Sequence, residues 1–86
     1  MYKVFVTKNV DKLLAKLPKE YQIQFAKLIQ KLVQDPFMID IKKLGGGHKI
    51  SYRLRMGAYR IFITIKFESK KVIIYDIRRR TTTTYQ

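Results

Sequence analysis

Residues 50–66 of this 86-residue chain read ISYRLRMGAYRIFITIK, and they alternate apolar with polar side chains on both sides of Gly57-Ala58. A period of two is typical of a β-strand that buries one face. A two-residue loop at Gly57-Ala58 joins two such strands into a hairpin and fixes their register. The expected facing pairs are Met56 with Tyr59, Leu54 with Ile61, Tyr52 with Ile63 and Ile50 with Ile65. We therefore expect this apolar face to lie in the core.

The polar face of the same hairpin carries arginine. The register places Arg55 directly opposite Arg60, with Arg53 two residues further along. A third strand, residues 72–77, follows the turn at residues 68–71. Its expected pairs are Ile73 with Ile65, Tyr75 with Ile63 and Ile77 with Ile61. This pairing brings the run Arg78-Arg79-Arg80 beside Arg60.

Like charges that face each other across two strands destabilise a sheet. An opposite-charge pair at the same position would stabilise it by roughly 0.2–1 kcal/mol. A charged run is most often only a solvated surface. Here arginines converge from three strands, and all six Arg of the chain lie between Arg53 and Arg80, whereas the rest of the chain uses Lys. The planar guanidinium donates two parallel hydrogen bonds to phosphate. The pattern therefore favours a phosphate backbone as the ligand.

The first half of the chain predicts a strand followed by two helices. Residues 2–7 are β-branched and aromatic, Asn9 offers an N-cap, and apolar residues follow at helical spacing up to Leu17. Pro18 ends the first helix and suits the start of the second, which ends at Asp35-Pro36. Residues 37–49 form a connector that contains three consecutive glycines, Gly45-Gly46-Gly47. The prediction is an α+β single domain over residues 1–86, β-α-α-β-β-β, with an antiparallel sheet covered on one face by a helical hairpin.

The composition points to a polyanionic partner. The chain has 19 Lys and Arg against 6 Asp and Glu, a formal net charge of +13. Residues 1–41 hold seven Lys against four acidic residues, net +3, and residues 42–86 hold twelve basic against two acidic residues, net +10. Such a charge favours association with nucleic acid.

Other classes of protein are disfavoured. There is no Cys and only one His, His48, so neither a disulfide framework nor a zinc site containing Cys is expected. We expect no metal and no other cofactor. The N-terminal residues lack the apolar stretch of a signal peptide, and no run reaches the ~20 apolar residues of a membrane span. A cytoplasmic protein without a membrane partner is the expectation.

The segment YRLRMGAYRI at residues 52–61, the lysine-rich turn, the strand at residues 72–77, the basic cluster and the late Tyr85 resemble the RelE/ParE toxin superfamily. The resemblance implies a microbial-RNase-like fold and a ribosome-dependent mRNA endoribonuclease that cuts in the A site. The partners it implies are a cognate antitoxin and the ribosome. It assigns catalytic roles to Arg60, Arg80 and Tyr85, and contacts to the RNA backbone to Arg53, Arg55, Arg78, Arg79 and Lys49.

Alternatives remain open at this point. A DNA gyrase inhibitor of the ParE type would keep the fold, although Tyr85 and the late arginines argue against it. A non-catalytic RNA- or ribosome-binding module would use the arginines only to grip phosphate. The run Arg78-Arg79-Arg80 leaves open which arginine is catalytic. His48 is expected to be an exposed loop residue and Asp76 to neutralise local repulsion, while Phe62 is placed on the basic face where it can stack on a base.

Overall fold

The computed structural model describes residues 1–44 and 51–79. Its elements are, in chain order, β1 Lys3–Val6, α1 Lys8–Ala15, α2 Lys19–Gln34, a 3-10 helix Pro36–Met38, β2 Ile41–Leu44, β3 Ser51–Met56, β4 Tyr59–Lys66 and β5 Lys71–Arg79. The five strands form one sheet in the order β1-β5-β4-β3-β2. The predicted α+β class is confirmed, and the predicted helices and strands are present.

The connector predicted for residues 37–49 contains a strand that the sequence pattern did not predict. Strand β2 pairs antiparallel with β3 along the edge of the sheet. Its sequence, IKKL, is short and does not alternate, so the period gives no signal. Lysines on a short edge strand are typical of edges that are protected against pairing with another chain.

The sheet is mixed, whereas an antiparallel sheet was predicted. Strand β1 is parallel to β5, and the other three strand pairs are antiparallel. The first and last strands of the described chain are thus neighbours, and β4 lies at the centre. Sequence pattern gives no information on this pairing, because the two strands are separated by almost the whole chain.

The helical hairpin begins two residues earlier than predicted. Thr7, and not Asn9, is the N-cap of α1, and its Oγ1 accepts a hydrogen bond from the backbone N–H of Val10. Both residue types cap helices well, and the end of β1 at Val6 determines which is used. The turn between the helices is held by Gln22, whose Nε2 donates to the carbonyls of Leu14 and Leu17.

One hydrophobic core lies between the helices and one face of the sheet. Its buried side chains are Val10, Phe25, Leu28, Leu32, Tyr52, Leu54, Met56, Ile61, Ile63, Ile65, Val72, Ile74 and Ile77. Ile61 and Ile63 of the central strand are fully buried, and complete burial of such a side chain stabilises a fold by roughly 1.5–3 kcal/mol. No described helix is long and apolar enough to cross a membrane.

The register predicted for the β3–β4 hairpin is confirmed. Met56 pairs with Tyr59, Leu54 with Ile61 and Tyr52 with Ile63, while the predicted partner of Ile65 lies outside the described residues. Gly57 has a φ of +60°, a backbone conformation that is strained for residues that carry a side chain. A Cβ at this position would also lie 2.6 Å from the Tyr21 ring, so α2 packs directly on the loop.

The register predicted for β5 is correct at Ile77 and wrong at Ile73 and Tyr75. Ile77 faces Ile61, but Ile63 faces Ile74 and Ile65 faces Val72. Tyr75 is an extra residue between the partners of Phe62 and Ile63, and it forms a β-bulge. Since the side-chain period is two, one extra residue transfers Ile73 and Tyr75 from the core to the opposite face.

A candidate nucleic-acid interface

The helices cover one face of the sheet, and the opposite face is here called the open face. Residues that pair directly across strands point to the same side, so the register defines its members. From β2 to β1 they are Lys42 and Leu44; Ser51, Arg53 and Arg55; Arg60, Phe62, Thr64 and Lys66; Lys71, Ile73, Tyr75, Asp76 and Arg78; and Lys3 and Phe5. Arginine gathers at one end of this face.

That basic end is built from four strands. Arg60 on the central strand lies between Arg55 of β3 and Arg78 of β5. One step further along, Arg53 lies between Lys42 of β2 and Phe62 of β4. The convergence of these arginines on one open face, predicted from the hairpin, is therefore present.

A cleft of about 470 Å³ opens at the basic end. Lys42, Arg53, Arg55 and Arg60 line it together with Asp40 and the apolar residues Ile39, Ile41 and Leu54. Arg53 and Arg60 are half-buried, whereas Arg55 is exposed. A site lined by four cations and a single carboxylate favours an anionic ligand.

Asp76 lies on the open face, and its carboxylate binds Arg78. Its Oδ2 accepts from Arg78 Nε at 2.9 Å, and its Oδ1 accepts from the backbone N–H of Ile77 at 2.9 Å. The Arg78 side chain is 73% exposed, so the ion pair contributes about 0–1 kcal/mol at most to stability. Because the bond uses Nε, the terminal amino groups of the guanidinium are directed elsewhere. Asp76 thus orients Arg78.

Two aromatic side chains flank the arginines. Phe62 lies with its ring centroid 6.2 Å from that of Tyr75, and the Arg78 guanidinium lies 5.9 Å from the Phe62 centroid. Phe62 was predicted on this face. Tyr75 was missed, because regular alternation places it in the core, and only the β-bulge brings it to the surface.

The other site residues predicted from sequence are distributed differently. Arg79 pairs with Tyr59, a residue packed against the core, so Arg79 lies on the helix-covered side of β5 and not beside Arg78. Lys49, Arg80 and Tyr85 lie outside the described residues, as does His48. Among the residues that the structure describes, no three His, Asp or Glu side chains are grouped as metal ligands would be.

Sequence comparison finds a similar curated protein of an archaeon. No protein-family model matches the chain. A curated protein of Methanocaldococcus jannaschii, whose name RelE1 places it among the RelE toxins, is 33% identical over 82 residues. The match spans 92% of this chain and 90% of the archaeal protein.

Comparison with solved structures also finds RelE proteins, and these share the fold of this chain. The archaeal RelE–RelB complex from Pyrococcus horikoshii contains a chain similar to this one, with a TM-score of 0.85 and 30% identity over 95% of this chain and 98% of that one. The RelBE2 toxin–antitoxin complex from Mycobacterium tuberculosis gives a TM-score of 0.78 at 25% identity, over 92% and 98% of the two chains. Isolated RelE of Escherichia coli gives 0.75 at 18% identity, over 96% and 88%, which supports the shared fold alone.

Proposed function

This chain belongs to the RelE family of toxins from toxin–antitoxin systems, and from that premise we propose that it is a ribosome-dependent endoribonuclease. It would cut mRNA in the ribosomal A site and so inhibit translation. The observation that carries the proposal is the meeting of Arg53, Arg55, Arg60 and Arg78 on one open face of the sheet. Facing cations weaken a sheet, so their placement is explained by a polyanion that binds there.

The proposed reaction needs no water. The 2′-oxygen of a ribose attacks the adjacent phosphorus, the new O2′–P bond forms as the P–O5′ bond breaks, and a 2′,3′-cyclic phosphate remains. One proton leaves the 2′-hydroxyl and one is taken up by the 5′-oxygen. Negative charge grows on the non-bridging oxygens in between, and guanidinium groups placed beforehand stabilise it.

Each arginine has a distinct part in this proposal. Arg60 lies at the centre of the basic end and, with Arg80, would bind the scissile phosphate. Arg53 and Arg55 would hold the backbone on either side, with Arg78 and Lys49 as further phosphate contacts. Arginine keeps its proton at any physiological pH, so these residues act by charge and not as bases. Tyr85 would stack on a base and orient it, since a phenol is a poor base at neutral pH.

A cognate antitoxin is the second proposed partner. Two of the similar structures are toxin–antitoxin complexes, RelE–RelB and RelBE2. We expect the antitoxin chain of this system to cover the basic end and to hold the toxin inactive in the cytoplasm, where its ribosomal target is.

The test is cleavage of a defined mRNA on programmed ribosomes, with the RNA ends mapped by primer extension. Wild-type protein should cut within the A-site codon. Arg60→Ala should lower the cleavage rate roughly 100-fold or more with only a modest loss of ribosome affinity, because the charge it stabilises develops in the transition state. Tyr85→Phe separates stacking from a role of the hydroxyl, and the stacking assignment predicts that it still cuts.

Lys43→Ala is the matched control. Lys43 is an exposed cation that faces Tyr52 on the other side of the sheet, so its loss should leave cleavage unchanged. Intact mRNA beside an active reference toxin would refute the nuclease proposal and favour gyrase inhibition. Ribosome binding by the wild type without any cleavage, weakened in each arginine variant, would favour a non-catalytic module.

A further inference from the structure

The β-bulge in β5 places an aromatic residue on the open face. Phe62 faces Asp76 and the next residue, Ile63, faces Ile74, so Tyr75 has no partner in β4. In a regular strand continued back from Ile77, Tyr75 would face Ile63, which is fully buried, whereas Tyr75 is 36% exposed. Bulges commonly redirect a side chain beside a functional site. The consequence here is a second aromatic ring next to Phe62.

Tyr75 also borders a depression of about 500 Å³ beyond the basic end. Its other lining residues are Ser51, Thr64, Lys66 and Ile73. Most of these side chains present methyl or methylene groups, so this part of the open face is far less charged than the cleft around Arg60. The open face therefore changes along β4 from cationic at Arg60, through aromatic at Phe62 and largely apolar at Thr64, to cationic again at Lys66, which faces Lys71.

The spacing of these features matches a nucleotide. Phe62 is two residues from Arg60 on the same strand, a separation of about 7 Å in a β-strand. That distance is on the scale of the separation between the phosphate and the base of one nucleotide. Arg78 links the two features, because it faces Arg60 across the strands and its guanidinium also lies over the Phe62 ring, 5.9 Å from its centroid.

We propose that Phe62 and Tyr75 form a stacking platform for a nucleobase of single-stranded RNA whose phosphate is held by Arg60 and Arg78. The proposal rests on the proposed function in that the open face receives RNA. A nucleic acid strand supplies both a phosphate for the arginines and a flat π-face for the rings, and stacking on aromatic side chains is tolerant of base identity. An acidic protein segment supplies carboxylates for the arginines but no base, whereas every nucleotide brings a phosphate and a base together.

The test uses the purified protein without ribosomes and a short single-stranded RNA that carries 2-aminopurine. Stacking of this base on an aromatic ring quenches its fluorescence, so quenching at saturation reports the platform and the midpoint reports affinity. Phe62→Leu and Tyr75→Leu keep apolar volume but remove a ring. We expect each to abolish most of the quenching and to weaken binding about 5- to 10-fold. Phe62→Tyr, which restores a ring, should behave like the wild type.

Two further variants separate the platform from the rest of the chain. Phe67→Leu removes an exposed ring in the β4–β5 turn, away from the basic end, and should leave quenching and affinity unchanged. Arg60→Ala should weaken affinity yet keep full quenching at saturation, because it removes the phosphate contact and leaves the rings. Cleavage on ribosomes, measured separately, tests the nuclease proposal, so the two can fail independently.

The platform is refuted if wild-type protein fails to quench at saturation, or if the two leucine variants quench as the wild type does. It is also refuted if those variants bind and quench normally but are no longer neutralised by the antitoxin, because the aromatic pair would then be a protein contact. The platform is supported if Phe62→Leu and Tyr75→Leu lose quenching while Phe67→Leu does not. All three variants should keep the native circular dichroism spectrum.

Discussion

Arg60 lies between two residues of its own charge, a costly position in a sheet. Arg55 faces it from β3 and Arg78 from β5. If phosphate binding explains this arrangement, reversing the central charge should stabilise the free protein. Arg60→Glu is expected to raise the free energy of unfolding by about 0.5–1 kcal/mol at low ionic strength, since two like-charge contacts become attractive. Urea denaturation of the wild type and the variant gives the difference.

Lys43→Glu is the control for this prediction, because it changes the net charge equally while its cross-strand partner, Tyr52, is uncharged. It should give a smaller stabilisation. At about 1 M salt, where the screening length falls to about 3 Å, the advantage of Arg60→Glu should also shrink. Equal stabilisation by both variants would mean that stability depends only on the net charge, and that repulsion between the facing arginines does not destabilise the sheet.

The positions of single residues could be predicted wherever the local geometry left one choice. The two-residue loop at Gly57-Ala58 fixed the pair Arg55 and Arg60 from sequence alone. The side of the sheet on which Arg79 lies was predicted wrongly. It was grouped with Arg78 because they are adjacent in sequence, yet adjacent residues of a strand point to opposite faces, and Arg79 lies on the helix side.

Strand β5 shows why an element can be predicted while its register cannot. Val72, Ile73 and Ile74 are all apolar, so this run carries no alternation that could identify its buried face. The regular continuation from Ile77 placed Tyr75 in the core. The fold instead buries Val72 and Ile74 and ejects Tyr75, a choice that depends on packing against the helices and β1 and not on local propensity.

Deleting Tyr75 should convert β5 into a regular strand. The residues before and after it are already on the correct faces, so Ile74 and Ile77 keep Ile63 and Ile61 as partners, and Arg78 stays opposite Arg60. We expect the deletion variant to fold with a stability within about 1 kcal/mol of the wild type, since a bulge disrupts the strand ladder and its loss restores it. Thermal unfolding followed by circular dichroism measures this.

Deletion of Thr64 is the comparison, because Thr64 lies in the regular part of β4. Its loss brings Ile63 and Ile65 next to each other, so one of the two must leave the core. This variant should be strongly destabilised or unfolded. Similar losses of stability in the two deletions would contradict the view that the bulge serves to present Tyr75 and is not required by the core.

At the scale of the whole molecule, the charge of +13 predicts a polyanionic partner but gives no location for its binding site. Lysines occur on both helices and on the sheet, and only the strand register separates a cationic end of the open face from the rest. The same limit applies to β2 and to the parallel pairing of β1 with β5, which depend on contacts between distant parts of the chain. Location of charge, and not its total, therefore needs a direct test.

The salt dependence of RNA binding supplies that test. For a single strand, the logarithm of the binding constant falls against the logarithm of salt concentration with a slope of about −0.7 for each phosphate neutralised. Arg60→Gln should therefore make the slope shallower by about 0.7, whereas Lys43→Gln, on the other side of the sheet, should leave it unchanged although both variants lose one charge. Phe62→Leu should weaken binding at every salt concentration without altering the slope, because stacking releases no counterions. If Lys43→Gln and Arg60→Gln change the slope equally, the RNA responds to the charge of the whole protein, and the arginines of the open face have no special role in binding it.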